Sequence, residues 1–266
     1  LWITTKNNGT QAKENATLSV SSTITKNDKA VIDIDLSGNS GIWALKFKVR
    51  YNHSALTLES VQNGEVFLDG DLTMPDKLDK EEFVFVASSN SLKDIKGNGT
   101  VVTFNFKIVD YSPEGKYPIE LTLIQAIDVD GNIIKMDTQD GTVTVSYDVK
   151  NDDIVFDKAK NEEIKMPLEV KEAVKKVKIN ETEISEDSYT VDSDGNVVIG
   201  SDYLNTLKNG KYKVNVETEK KNYAADIFVK EDVEKEIEEK SKEAKEENKK
   251  GEESKSQKKI NGKDSK

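Results

Sequence analysis

Apolar and polar residues alternate with a period of two along most of the chain up to about residue 230. The longest such run is Gly41 to Tyr51. Trp43, Leu45, Phe47, Val49 and Tyr51 share one face of an extended segment, and Ala44, Lys46, Lys48 and Arg50 share the other. Successive side chains of a strand point to opposite sides, so this run predicts a central strand with a buried apolar face and a wet basic face. Shorter alternating runs occupy Thr17–Val20, Ala30–Leu36, Leu56–Val61, Phe83–Ala87, Val101–Val109, Tyr117–Ile124 and Gly141–Val145. Turn residues divide them, among them Asn63-Gly64, Asp69-Gly70, Gly97-Asn98-Gly99 and Asp130-Gly131. Short strands at this spacing, with no long helical period between them, predict an all-β sandwich over residues 16–147.

A second β series follows a linker at 148–153. Ile164, Met166, Leu168 and Val170 alternate, as do Val177 and Ile179, Tyr189 and Val191, and the runs Val197–Ile199, Tyr212–Val216 and Tyr223–Val229. This pattern predicts a small immunoglobulin-like sandwich of about seven strands over 154–230. The ends differ in kind. Residues 1–15 are polar and read as a leader or linker. From Glu231 on, nearly everything is charged or amidic, and the i,i+4 pairs Glu236/Lys240, Glu238/Lys242 and Glu246/Lys250 predict a solvated helix up to Gly251. Beyond it, over the rest of 231–266, the composition is that of a disordered linker.

Composition narrows the function classes. The 266 residues carry a formal net charge of −11, against the basic footprint that nucleic-acid binding needs. There is no cysteine and only one histidine, so neither a zinc cage nor a histidine-based triad is available. No apolar run approaches the ~18 residues that cross a bilayer as a helix. The chain opens on Leu1 rather than methionine, which predicts a fragment or processed product whose signal or anchor lies elsewhere.

Three features imitate chemistry. His53 sits in the turn after the central strand and is expected to be exposed. Asp128-Val-Asp-Gly-Asn132 and Asp192-Ser-Asp-Gly-Asn196 resemble the start of a calcium loop but lack its glycine at position six and its acidic twelfth residue, so hairpin turns are the simpler account. The acidic loop containing Asp69, Asp71, Asp76, Asp79, Glu81 and Glu82 offers carboxylates for calcium or for a glycosidase pair, but a sandwich this small can hardly supply the aromatic-lined cleft a glycosidase needs, and a solvated loop is expected. No catalytic, metal or cofactor site is expected.

The order of the first-domain motifs is similar to that of the cohesin family. Gly41-Ile-Trp-Ala-Leu-Lys-Phe-Lys-Val-Arg-Tyr-Asn-His-Ser-Ala-Leu-Thr-Leu58 resembles the cohesin signature strand and the turn after it. Phe83–Ala87, Gly99–Phe106, Gly115–Ile119 and Asp140–Val145 follow in the family's order. The resemblance implies a jelly-roll sandwich that is a non-catalytic receptor, presenting one sheet face to a dockerin module on another protein. Mapped here, that face is Ala44, Lys46 and Lys48 on the central strand, Val84, Val86 and Ser88 on a second, and Thr103 and Asn105 on a third. Cellulosomal cohesins often carry Asn and Asp where Ala44 and Lys46 stand, so a dockerin of another class, acidic and partly apolar, is the expected partner.

The second domain resembles the immunoglobulin-like X-type modules that accompany cohesins in scaffoldins, through Phe156-Asp-Lys158, Ser188-Tyr-Thr-Val191 and Gly210-Lys-Tyr-Lys-Val214. Together these resemblances imply an extracellular or bacterial cell-surface protein linked to polysaccharide-degrading assemblies. Two other readings stay open. The same sandwich serves a carbohydrate-binding or adhesive protein that takes polysaccharide or cell wall, or it is a structural spacer.

Overall fold

The computed structural model describes residues 16–75, 78 and 80–231. The leader, the charged tail with its expected helix, and Asp76 and Asp79 of the acidic loop lie outside the described residues. The chain divides into two compact units, residues 1–148 and 149–266.

Among the described residues the first unit holds eleven strands: β1 (Ala16–Val20), β2 (Thr23–Thr25), β3 (Lys29–Ser37), β4 (Ala44–Tyr51), β5 (Leu56–Asn63), β6 (Asp71–Thr73), β7 (Glu82–Ser88), β8 (Gly99–Ile108), β9 (Gly115–Ile127), β10 (Met136–Gln139) and β11 (Gly141–Val145). They form a five-stranded sheet in the order β10-β1-β3-β8-β5 and a six-stranded sheet in the order β2-β11-β9-β4-β7-β6. Alternating burial on β3, β4, β7 and β8 turns one row of each strand inward. Aromatic rings join the sheets. Phe85 of β7 lies 5.1 Å from Phe104 of β8, and Tyr51 of β4 meets Phe106 of β8 edge-on at 5.0 Å. Offset and edge-to-face rings at these distances add to the burial energy itself.

The two ends of this unit change sheets together. The chain leaves β1 for β2 at Ser21 and Ser22, and leaves β10 for β11 at Asp140. β1 runs parallel to β10 and β2 parallel to β11. The crossings touch, since a Cβ on Gly141 would stand 2.2 Å from the Ser21 carbonyl oxygen. Only glycine fits there.

The second unit has β12 (Ile154–Asp157), β13 (Ile164–Met166), β14 (Val174–Ile179), β15 (Thr182–Glu183), β16 (Tyr189–Val191), β17 (Val197–Ile199), the short helix α1 (Ser201–Thr206), β18 (Gly210–Thr218) and β19 (Asn222–Lys230). A five-stranded sheet, β12-β19-β18-β14-β15, and a three-stranded sheet, β13-β17-β16, enclose a separate core around Phe156, Met166, Val177, Val214 and Val229. The expected strand through Leu168 and Val170 stops at Met166. Pro167 has no N–H to pair, and Glu169 takes φ 51°, which is incompatible with an extended chain. Helix α1 has no counterpart in the alternating pattern. Six residues that bury only Leu204 show no helical period. Among the described residues no helix is long and apolar enough to cross a membrane.

Candidate partner-binding face

The outer face of the six-stranded sheet is organised by β4, which has β7 on one side and β9 on the other. Opposed residues of paired strands share a face, so the register lays out its side chains in rows. The first row reads Ile127, Ala44, Ser88 and Asp71. The second is Gln125, Lys46, Val86 and Thr73, the third Thr122, Lys48 and Val84, and the fourth Glu120, Arg50 and Glu82. Val84 is 40% exposed. Ala44, Val86, Ser88 and Ile127 are half-buried, and Lys46 is exposed.

Six of the eight expected site residues therefore stand together: Ala44, Lys46, Lys48, Val84, Val86 and Ser88. Thr103 and Asn105 do not join them. They belong to β8, in the other sheet, and look out from the opposite side of the sandwich. Alternation identifies the outward residues of a strand but is blind to the sheet in which that strand lies. Thr103 is occupied where it stands, its hydroxyl donating to the Asp33 carboxylate at 2.5 Å.

The face also differs from the basic surface read off β4 alone. Lys48 Nζ lies 3.1 Å from Glu82, and Arg50 lies 3.6 Å from Glu120, each pair spanning neighbouring strands. Two of the three cations of β4 thus pair with carboxylates of β7 and β9, and Asp71 of β6 adds a third carboxylate at the edge of the face. The face is close to neutral, with its paired charges gathered at one end.

Strand β9 contributes residues that the pattern did not reveal. Its register shifts between Lys46 and Phe47, a bulge that leaves both Ile124 and Gln125 exposed. The strand then runs on to Ile127, which bridges to Ile133. Ile124 is 47% and Ile133 75% exposed, extending the apolar surface past Ala44. The legible trace is the consecutive Leu123-Ile124, where alternation breaks. Trp43 is another departure. It lies outside β4 and is half-buried rather than in the core, with its Nε1 donating to the Ser91 carbonyl at 2.9 Å, while Ile42 fills the buried position.

The remaining candidates have structural roles. His53 is exposed in its turn, its Nδ1 3.3 Å from Glu81. Asp128 and Asp192 each cap a hairpin turn, accepting from the backbone N–H groups two and four residues on and from the Asn side chain four residues on. Lys165 Nζ sits 2.7 Å from Asp192 and, ahead of the Asn196 amide, holds that carboxyl far below the usual range. A lysine thus occupies the place a cation would take. No three acidic or histidine side chains converge among the described residues. Tyrosines of the second unit form no exposed platform for a sugar among the described residues: Tyr212 is buried, and Tyr189, Tyr203 and Tyr223 pack against the second core. Tyr212 donates to the Lys208 carbonyl and Tyr223 to Glu172.

Comparison with known proteins bears on the first unit. The family model described as the cohesin domain matches residues 15–145. Similar solved structures include a non-cellulosomal cohesin from the hyperthermophilic archaeon Archaeoglobus fulgidus, at 16% identity over 50% of this chain and 91% of that one, with a TM-score of 0.44. The OlpA cohesin–dockerin complex of Clostridium thermocellum matches at 13% identity, over 50% of this chain and 99% of that one, with a TM-score of 0.47. The seventh ScaB type I cohesin of Pseudobacteroides cellulosolvens matches at 16%, over 52% and 96%, with a TM-score of 0.44. No curated protein matches the chain.

Proposed function

We propose, from the match of residues 15–145 to the cohesin-domain family model, that the chain is a non-catalytic receptor for a dockerin-bearing protein, docked on the outer face of β6, β7, β4 and β9. The observation that carries the choice of face is its run of small and aliphatic side chains, Ala44, Val84, Val86, Ile124 and Ile127, beside charges that already neutralise one another. Specific interfaces bury about 800 Å² per partner, and affinity concentrates in a few apolar anchors near the centre. Val86 stands at that centre, between Lys46 and Thr73. The setting, outside the cell in assemblies that recruit polysaccharide-degrading enzymes, belongs to the same reading and rests on the cohesin match. So does the role of the second unit as an immunoglobulin-like X-type spacer.

The test is a titration of the full chain against calcium-loaded dockerins from one clostridial source. Binding tighter than about 1 μM to at least one of them is expected, with loss on adding EDTA, since dockerins fold around calcium. Val86→Asp should weaken it at least about tenfold, because it places a carboxylate that must be desolvated at the apolar centre and engages Lys46 across the strand. Unchanged affinity in that variant would move the interface elsewhere.

A further inference from the structure

Along β4 the charges of the docking face are treated unequally. Arg50 stands in register between Glu82 and Glu120 and pairs with Glu120, while Lys48 pairs with Glu82. Lys46 is different. Its cross-strand neighbours are Val86 and Gln125, and it has no carboxylate partner among the described residues. Its neighbours are aliphatic or uncharged apart from Lys48: Val86 and Gln125 beside it, Ala44, Ile127 and Ser88 in the next row, and Val84 and Thr122 one row on. A partner covering that surface strips water from the Lys46 ammonium and must return a counter-charge, because a buried unpaired cation is strongly unfavourable. A broadly acidic partner is disfavoured for the opposite reason, as Glu82, Glu120 and Asp71 border the same rows.

We propose that Lys46 is the specificity-determining residue of this face, and that the dockerin it accepts has an apolar contact surface bearing one carboxylate, set to meet Lys46. This rests on the docking reading above. It narrows the partner from an acidic surface to a single acid framed by aliphatic side chains.

The experiment uses the full chain and the tightest calcium-loaded dockerin of the panel, with affinity read by calorimetry. Lys46→Met should weaken binding about thirtyfold or more by leaving the partner's carboxylate buried without a counter-charge. Lys48→Met should cost at least about tenfold less, because the ammonium it removes is already engaged by Glu82. Replacing the dockerin's facing acid with lysine should restore most of the affinity that Lys46→Glu loses. Equal losses at Lys46 and Lys48 would mean a generally basic surface. They would overturn this inference and leave the docking reading standing, as would full affinity in Lys46→Met when Val86→Asp abolishes binding. Unchanged affinity in both variants, or no dockerin bound, overturns both. So does retention on insoluble polysaccharide, or self-association, that Val86→Asp removes, since the face would then have another occupant.

Discussion

The first sandwich has two outer faces made from the same kind of strand, and they solve the problem of exposure differently. On the five-stranded side, hydroxyls and carboxylates hold one another across strands. Thr103 donates to Asp33 at 2.5 Å and Thr100 to Asp35 at 2.8 Å, and Val31 is the one large aliphatic residue standing well exposed in those rows. On the six-stranded side, the ion pairs sit at one end and leave Ala44, Val84, Val86, Ile124 and Ile127 next to Lys46, which has no carboxylate partner among the described residues. A face whose hydroxyls and carboxylates pair across strands has little to gain from being covered, because those groups would have to be desolvated. An aliphatic face with a localised free charge gains from burial, and only against a matching surface. One sheet insulates the core while the other is left available.

Both faces hang on one core, so the largest effect should fall on both together. Phe85 is fully buried, stacks 5.6 Å from Phe47 within its sheet and reaches Phe104 across the sandwich. Phe85→Ala should cost about 3–5 kcal/mol in unfolding free energy, read by denaturant titration, and should lower dockerin binding only through the unfolded fraction. A binding defect that persists in the folded population would mean that the core shapes the face more directly.

The next variant separates the faces. Val84→Asp, on a residue 40% exposed, should leave stability within about 0.5 kcal/mol. It should nevertheless weaken dockerin binding at least about tenfold, since a carboxylate there lies between Lys48 and the apolar rows. Thr103→Val should do the reverse. It removes the donor to Asp33, costs about 1 kcal/mol of stability, and leaves affinity unchanged. If Thr103→Val weakened binding instead, the five-stranded face would be a docking surface too and the contrast would fail.

How much of this was legible in the sequence follows from what alternation encodes. Strands with one face in the core declared themselves: the runs at Phe83–Ala87, Val101–Val109 and Gly141–Val145 match β7, β8 and β11 to within a residue or two. Strands β2, β6 and β10 did not, because three or four residues at a sheet edge show no period. Which strands share a sheet is a long-range fact. Val84 and Thr103 look alike in the pattern, and only the pairing of β4 with β7 and of β3 with β8 sends them to opposite sides. Charge suffered likewise. The basic row of β4 is plain in the sequence, while the acids that offset it, Glu82 and Glu120, lie 34 and 70 residues beyond Lys48 and Arg50 and become neighbours only through register.

The smallest expected effect probes that offset directly. Lys48 and Glu82 are each part exposed, with side chains 33% and 48% accessible, and lie 3.1 Å apart. A double-mutant cycle of Lys48→Met and Glu82→Gln on stability should give a coupling below about 1 kcal/mol, because solvent screens exposed pairs and two long side chains lose freedom in meeting. It should shrink further as salt rises from about 0.05 to 0.5 M. The same cycle on dockerin affinity is the sharper comparison. If the pair is a closed account within the face, breaking either partner frees a charge, so Glu82→Gln should make Lys48 available and tighten binding to a partner carrying an additional acid. A coupling on stability well above 1 kcal/mol would mean that the pair holds β4 to β7 rather than tuning what the face can accept. The neutral end would then be architecture instead of selectivity.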